Sequence, residues 1–191
     1  MDAVVFDLGN VLIGWDPLRV VSEEFVAGAD FHAWNAQLDR GVPFDDVVAR
    51  WCEAHPDHAD EVRVFQERWF ETLGAVDDDV LAIVHDLRAQ GVAVFGLTNS
   101  SAENAPRSPA VQRVFAELDG VVISGEVGLL KPHPEIYDHT AQRFGLTPAR
   151  TWFVDDNAAN VAGAVDCGWN AVLFTDATSL RAELEAAGIL R

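Results

Sequence analysis

The sequence predicts an α/β fold: a parallel sheet covered by helices on both faces, with a small helical unit inserted after the first strand. Three observations predict it. Short apolar runs rich in β-branched residues alternate with amphipathic stretches through the later part of the chain, the pattern of strands joined by crossover helices. One such run, Val4-Val5-Phe6, stands alone at the N-terminus. Between it and the next run, residues 15–75 show helical periodicity and no convincing strand.

Taken in order, Val4-Val5-Phe6 reads as a short buried strand that delivers Asp7 to a Gly9-Asn10 turn. Asp7 therefore sits at a strand tip, where open parallel sheets bind ligands, although an aspartate there can also simply cap the turn. Gly9 can serve the turn through its backbone, since glycine alone tolerates φ > 0 cheaply. Asp16 suits a helix N-cap, with Pro17 at the first helical position. Three apolar stripes follow. Val20, Val21, Phe25 and Val26 form the first, Val47, Val48 and Trp51 the second, and Val62, Phe65, Trp69, Phe70 and Leu73 the third. Asp39-Arg40-Gly41-Val42-Pro43 makes a turn between the first two. Trp15, Trp34, Trp51 and Trp69 fit the aromatic core of a small helical unit better than a ligand-stacking surface.

A helix over 77–90 ends at Gly91. Strand 92–97 then runs into Thr98-Asn99-Ser100-Ser101, a helix spans 111–118, and a third strand covers 121–124. After Lys131-Pro132-His133-Pro134 comes a helix to Phe144. A fourth strand, 151–154, ends on Asp155-Asp156-Asn157; a helix over 158–167, a fifth strand over 171–174 and a helix over 179–187 complete the alternation. The expected division is a core of 1–14 and 76–191 with a cap of 15–75.

Composition narrows the function. With 191 residues, 49% of them hydrophobic, the chain can bury one substantial core and carry a small appended unit. Thirteen Lys and Arg against 31 Asp and Glu give a formal charge of −18, which repels nucleic acid and anionic lipid. No run approaches the ~18 apolar residues of a membrane span. Asp2 and Asp7 interrupt any signal-peptide pattern, and Cys52 and Cys167 match no metal or redox spacing, so a cytoplasmic protein with reduced thiols is expected. The same negative field repels phosphorylated metabolites. An anion site must therefore be built locally, from a lysine, backbone amides or a bound cation.

Asp7, Thr98, Lys131 and Asp155-Asp156 all fall at strand ends or in the loops beside them, and a parallel sheet gathers such positions on one edge. One carboxylate nucleophile, one hydroxyl, one ammonium and an acidic pair fit phosphoryl transfer. Asp7 attacks phosphorus, Mg²⁺ bridges carboxylates and phosphate, Thr98 and amides near Asn99 hold phosphate oxygens, and Lys131 offsets charge.

In that order, Phe6-Asp7-Leu8-Gly9-Asn10, Leu97-Thr98-Asn99, Gly128-Leu129-Leu130-Lys131-Pro132-His133-Pro134 and Phe153-Val154-Asp155-Asp156-Asn157 resemble the four motifs of the haloacid dehalogenase-like (HAD) superfamily over nearly the whole chain. The resemblance implies a Rossmann-like core with a helical cap after strand one. It also implies a metal held by Asp7, the Gly9 carbonyl and the acids of the fourth motif. Asp156 matches the usual ligand best, Asp155 stands as a second, and Asn160 replaces a further acid of many members.

One departure stands out. Phosphatases of the superfamily generally carry a second aspartate, as acid and base, where this chain has Gly9. The first motif, Asp-Leu-Gly-Asn, resembles that of sugar-phosphate phosphatases related to bacterial glucose-1-phosphate phosphatases. Their anomeric leaving group needs less protonation, and general-acid help is worth about 10²–10⁴-fold. A 2-haloacid dehalogenase is the alternative: it also lacks the second acid, and Arg40 stands where such enzymes bind a carboxylate, but Asp155-Asp156 would repel that carboxylate. A weakly active member that binds a phosphometabolite or a protein is the third. Asp16 is the first candidate for a replacement acid; His133, in a loop beside Lys131, reads better as a surface residue, and Arg107 and Arg113 could bind an anion although nothing in the sequence places them.

Overall fold

The computed structural model describes residues 3–191, so Asp2 lies outside the described residues. Seven strands occur among them: β1 (Ala3–Phe6), β2 (Ile13–Trp15), β3 (Leu73–Val76), β4 (Ala93–Thr98), β5 (Gly120–Ile123), β6 (Thr151–Asp155) and β7 (Asn170–Leu173). Five form a parallel sheet in the order β5-β4-β1-β6-β7, with the N-terminal strand at its centre. Side chains alternate across that strand. Val4 and Phe6 pack with Val84, Leu87 and Leu184 from α5 (Asp78–Ala89) and α10 (Ala177–Ala186). Ala3 and Val5 pack with Ile136, Tyr137 and Ala164 from α8 (Pro134–Phe144) and α9 (Ala158–Asp166) on the other face. The sheet is therefore covered on both sides, as predicted. No helix of the described residues is long and apolar enough to cross a membrane.

The insert holds α1 (Glu23–Gly28), α2 (Phe31–Asp39), α3 (Phe44–Ala54) and α4 (Ala59–Glu67). They close around an apolar cluster of their own, in which Phe25, Phe31, Trp51 and Phe65 are all fully buried. Phe31 meets Phe65 edge-on at 5.2 Å between ring centroids, and Trp34 stacks on Trp51 at 6.0 Å. The Trp51 indole donates to the Ala29 carbonyl at 2.7 Å, so its one polar atom is satisfied inside the cluster.

The insert departs from its sequence pattern in four places. β2 and β3 pair antiparallel as a two-stranded ribbon at its root, where no strand was expected. Strands of three and four residues, each with glycine in second place, are too short to show a period. Leu73 belongs to that ribbon and not to a helix, and Phe70 is exposed. Val20 and Val21 precede α1. Helix α2 has no counterpart among the three stripes. Asp16, in contrast, does cap a turn followed by Pro17: its carboxylate accepts from Leu18 N at 2.9 Å.

The insert touches the core at the end of α2. Gly41, at φ +84°, lies against Gly125, in α7 (Ser124–Val127), so closely that a Cβ would come within 2.2 Å of the Gly125 carbonyl oxygen. The Ser124 hydroxyl donates to the Asp39 carbonyl at 2.6 Å and accepts from Ser100 N at 2.9 Å. Phe44 N, at the start of α3, donates to Glu103 at 3.4 Å.

Candidate active site

Asp7 follows the last residue of β1 and is fixed by its own backbone, Asp7 N donating to Val154 O on β6 at 2.8 Å. Thr98 ends β4 and Asp155 ends β6, the two neighbours of β1, so all three side chains emerge at one edge. Lys131 reaches that edge from the loop before α8. Gly163 on α9 lets the loop in: a Cβ there would meet the Pro132 carbonyl oxygen at 2.5 Å.

Lys131 is the centre of the charge arrangement. Its ammonium is buried and donates to Asp7 Oδ1 at 2.8 Å, Asp155 Oδ2 at 2.7 Å and the Leu97 carbonyl at 3.0 Å. Burial alone pulls its pKa down, but the two carboxylates outweigh burial and hold it above the ordinary lysine value. Asp7 Oδ1 also accepts from Leu8 N at 2.7 Å. Both bonds fall on Oδ1, so Oδ2 is the oxygen free to meet a substrate. Burial raises the Asp7 pKa well above the usual carboxylate range, opposed by Lys131 and reinforced by the charge on Asp155.

The acidic pair divides its labour. Asp155 is wholly buried, and its Oδ1 accepts from Asn157 N at 2.8 Å and Asn160 Nδ2 at 3.0 Å, while Oδ2 accepts from Lys131 and, at 3.1 Å, from Asn160. A carboxylate has about four acceptor positions, and here all are taken. Asp156 is exposed, bonded by the Asn10 side chain, and its pKa is raised by partial burial and by Asp155. Ligand oxygens of Asp7, Asp155 and Asp156 lie within 4.8 Å of one another, with a single ammonium among three carboxylates. That donor set, all hard oxygen with uncompensated negative charge, fits a hard divalent cation. Within that group Asp155 differs from Asp7 and Asp156 in that its acceptor positions are already engaged.

Two further expectations change in detail. The Asn99 side chain is committed to the Lys131 backbone, donating to its carbonyl and accepting from its N–H, both at 3.0 Å. What Asn99 can offer a phosphate is therefore its own backbone N–H. Gly9 does not have φ > 0; that conformation belongs to Asn10, at φ 55°, whose side chain accepts from Trp15 N at 2.8 Å. A Cβ on Gly9 would meet nothing nearer than Trp15 Cβ at 4.0 Å.

Asp7, Gly9, Thr98, Asn99, Lys131, Asp156 and Asn160 line one cavity of about 280 Å³ beneath the insert. Ile13, Trp15 and Leu73 from the ribbon, with Trp69, supply apolar lining, so two of the tryptophans read as core also face the cavity. Asn35 and Asp39 add polar groups from α2. Arg40 is exposed and outside this lining, as are Asp16, Arg107 and His133, and Arg113 is paired with Asp78 at 2.6 Å. Asp39, read from sequence only as a turn residue, is the cavity carboxyl that sequence reasoning missed.

A buried carboxylate cluster bridged by a lysine, at the end of a doubly covered parallel sheet and under a helical insert, defines a class. The chain belongs to the haloacid dehalogenase-like hydrolases, whose family profile matches residues 1–168; it is a hydrolase. Among its relatives, it is 27% identical to the sesquiterpene phosphatase astK of Aspergillus oryzae over 95% of this chain and 94% of that one. It is 23% identical to the pyrophosphatase PpaX of Bacillus cereus over 97% of this chain and 88% of the other. In fold it resembles a HAD-family enzyme of Bacteroides thetaiotaomicron crystallised with magnesium and inorganic phosphate, with a TM-score of 0.70 and 20% identity over 94% of this chain and 98% of that one.

Proposed function

We propose that this protein is a Mg²⁺-dependent phosphatase that hydrolyses a small phosphomonoester through an aspartyl-phosphate on Asp7, with residues 15–75 acting as the cap over the substrate. The observation that carries the reading is the buried Asp7, Lys131 and Asp155 chain with Asp156 beside it. One carboxylate oxygen is left facing a cavity, and among the described residues no arginine lines that cavity to receive a haloacid carboxylate.

In this reading Asp7 Oδ2 attacks phosphorus, and the bond from phosphorus to the ester oxygen breaks. Water then attacks phosphorus, releasing phosphate and restoring the carboxylate. Thr98 and the Asn99 N–H hold phosphate oxygens, and Lys131 keeps Asp7 ionised and oriented. Asp7, Asp156 and the Gly9 carbonyl would hold Mg²⁺, which supplies positive charge against the phosphate oxygens. Asp155 orients Lys131.

The alcohol part of the substrate lies against Ile13, Trp15, Trp69 and Leu73. Those side chains offer a broad apolar surface, as an aryl or isoprenoid phosphate would use, while on the insert's side Asn35 and Asp39 supply the amide and carboxyl groups that a sugar's hydroxyls would need. The name of the relative astK supports the isoprenoid. A panel of p-nitrophenyl phosphate, an isoprenyl phosphate and glucose 1-phosphate, with and without Mg²⁺, tests it. The isoprenyl ester is expected to exceed the sugar ester in kcat/KM. Activity on 2-haloacids that survives EDTA, with none on phosphoesters, overturns the reading.

The metal assignment predicts a separation of variants. Mg²⁺ at 100 times its Kd adds about 2.7 kcal/mol, which for a chain of this size is roughly 5–10 °C in Tm. Asp156→Ala is expected to lose that shift. Asn160→Ala, which strips bonds from Asp155, is expected to lower Tm with and without metal and keep most of the shift. Equal loss from both would reverse the assignment.

A further inference from the structure

The proposed reaction needs a proton carrier: the departing alkoxide must gain a proton and the attacking water must lose one. The residue two places after Asp7 is Gly9, which has none to offer. We propose that Asp39, at the end of α2 in the insert, is the general acid for the leaving group and then the general base for water; the proposal rests on the aspartyl-phosphate reading of the site.

Three observations carry it. Asp39 lines the same cavity as Asp7, Thr98, Lys131 and Asp156, and contributes the one carboxyl that the insert brings there. Its backbone is pinned to the core, with Ser124 Oγ on its carbonyl at 2.6 Å and Gly41, two residues on, pressed against Gly125. Its side chain is steadied from one helical turn back, Asn35 Nδ2 donating to Oδ2 at 3.2 Å, which leaves Oδ1 for a substrate proton. The charged groups acting on it are Lys131, Asp7 and Arg40. Burial, the largest influence, pushes its pKa up to about 7; Lys131 and Arg40 oppose the rise and Asp7 adds to it. A carboxyl in that range both gives and takes a proton near neutrality.

The steps balance. First, the bond from Asp7 Oδ2 to phosphorus forms, the ester P–O bond breaks, and the Asp39 proton passes to the alkoxide. Next, Asp39 takes a proton from water as its oxygen attacks phosphorus, the Asp7–phosphorus bond breaks, and Asp39 ends protonated again. Asp16 has no part in this, being exposed and bonded to Leu18 N.

The test is the dependence of rate on leaving-group pKa, measured with Mg²⁺ across aryl and alkyl phosphates. The wild type is expected to show a shallow slope. Asp39→Asn, with the shape kept and the proton gone, should lose about 10²–10⁴-fold on alkyl phosphates and show a steep slope. On p-nitrophenyl phosphate it should give a burst of one equivalent of product followed by slow turnover. Gly9→Asp in the Asp39→Asn background should restore part of the alkyl activity, because the space beside Gly9 is open. An Asp39→Asn variant that keeps its Mg²⁺-induced Tm shift, the wild-type slope and a rate within about threefold overturns the role of Asp39 alone. A steep slope in the wild type does so without any variant. A wild type with no phosphatase activity overturns the site reading, and the proposal with it.

Discussion

Asp7→Asn is expected to abolish turnover, by at least about 10⁴-fold, while the protein stays folded. The amide keeps the shape of the carboxylate but cannot attack phosphorus. Lys131 retains Asp155 at 2.7 Å and the Leu97 carbonyl, so the ammonium keeps a charged partner. Because burial disfavours the ionised Asp7 in the metal-free protein, removing its charge costs little stability. Tm without Mg²⁺ should stay within a few degrees of wild type, and the Mg²⁺-induced rise should shrink, since one ligand has lost its charge. Near-native turnover would exclude the covalent mechanism. A single turnover of the wild type in labelled water adds a second readout: attack on phosphorus puts the label in phosphate, whereas attack on an ester carbon puts it in Asp7.

Lys131→Met has the largest expected effect on stability. The substitution leaves Asp155 buried without its counter-charge and the Leu97 carbonyl without its donor. Removing one partner of a buried ion pair costs about 3–5 kcal/mol, on the order of 10 °C in Tm for a chain of this length. Turnover should fall with it, since Asp7 loses the group that orients Oδ1. The linkage has a definite sign: a lysine whose pKa is raised on folding contributes stability that is complete below the ordinary lysine pKa and is lost only as pH climbs through the raised value. The lysine's own share of that deficit should therefore persist across pH 6–9, while protonation of Asp7 relieves part of the rest towards pH 6. A variant melting within two or three degrees of wild type would mean that the carboxylates do not depend on the ammonium.

Much of this arrangement is legible in the sequence, for identifiable reasons. The core strands are buried apolar runs with β-branched residues, and each ends on polar residues that the parallel topology must bring together, so Asp7, Thr98, Lys131 and the acidic pair could be read before any coordinates. The ribbon could not, because Ile13–Trp15 and Leu73–Val76 are too short to establish a period and owe their pairing to the root of the insert. Nor does an Asp-Asp doublet say which member faces outward. That depends on the backbone N–H of residue 157 and the side chain of Asn160 reaching back to Asp155, and only Asn160 is a signal in the sequence, intelligible once α9 is seen to start there. Asp39 was hidden by its neighbours: Asp-Arg-Gly is ordinary turn chemistry, and only the docking of the insert carries it over the cavity.

Around the end of α2 and the start of α3, the contact between insert and core is made, on the insert's side, by main-chain atoms: the carbonyl of Asp39, the backbone of Gly41 and the N–H of Phe44, met by Ser124, Gly125 and Glu103. Main-chain atoms do not change when a gene mutates. Over evolutionary time Trp15 and Trp69 can therefore be exchanged for other side chains, re-cutting the cavity, while the backbone of Asp39 stays in place and Asn35 holds its carboxyl. Gly41 is the exception, a position where drift is barred because any side chain would wedge the two parts apart.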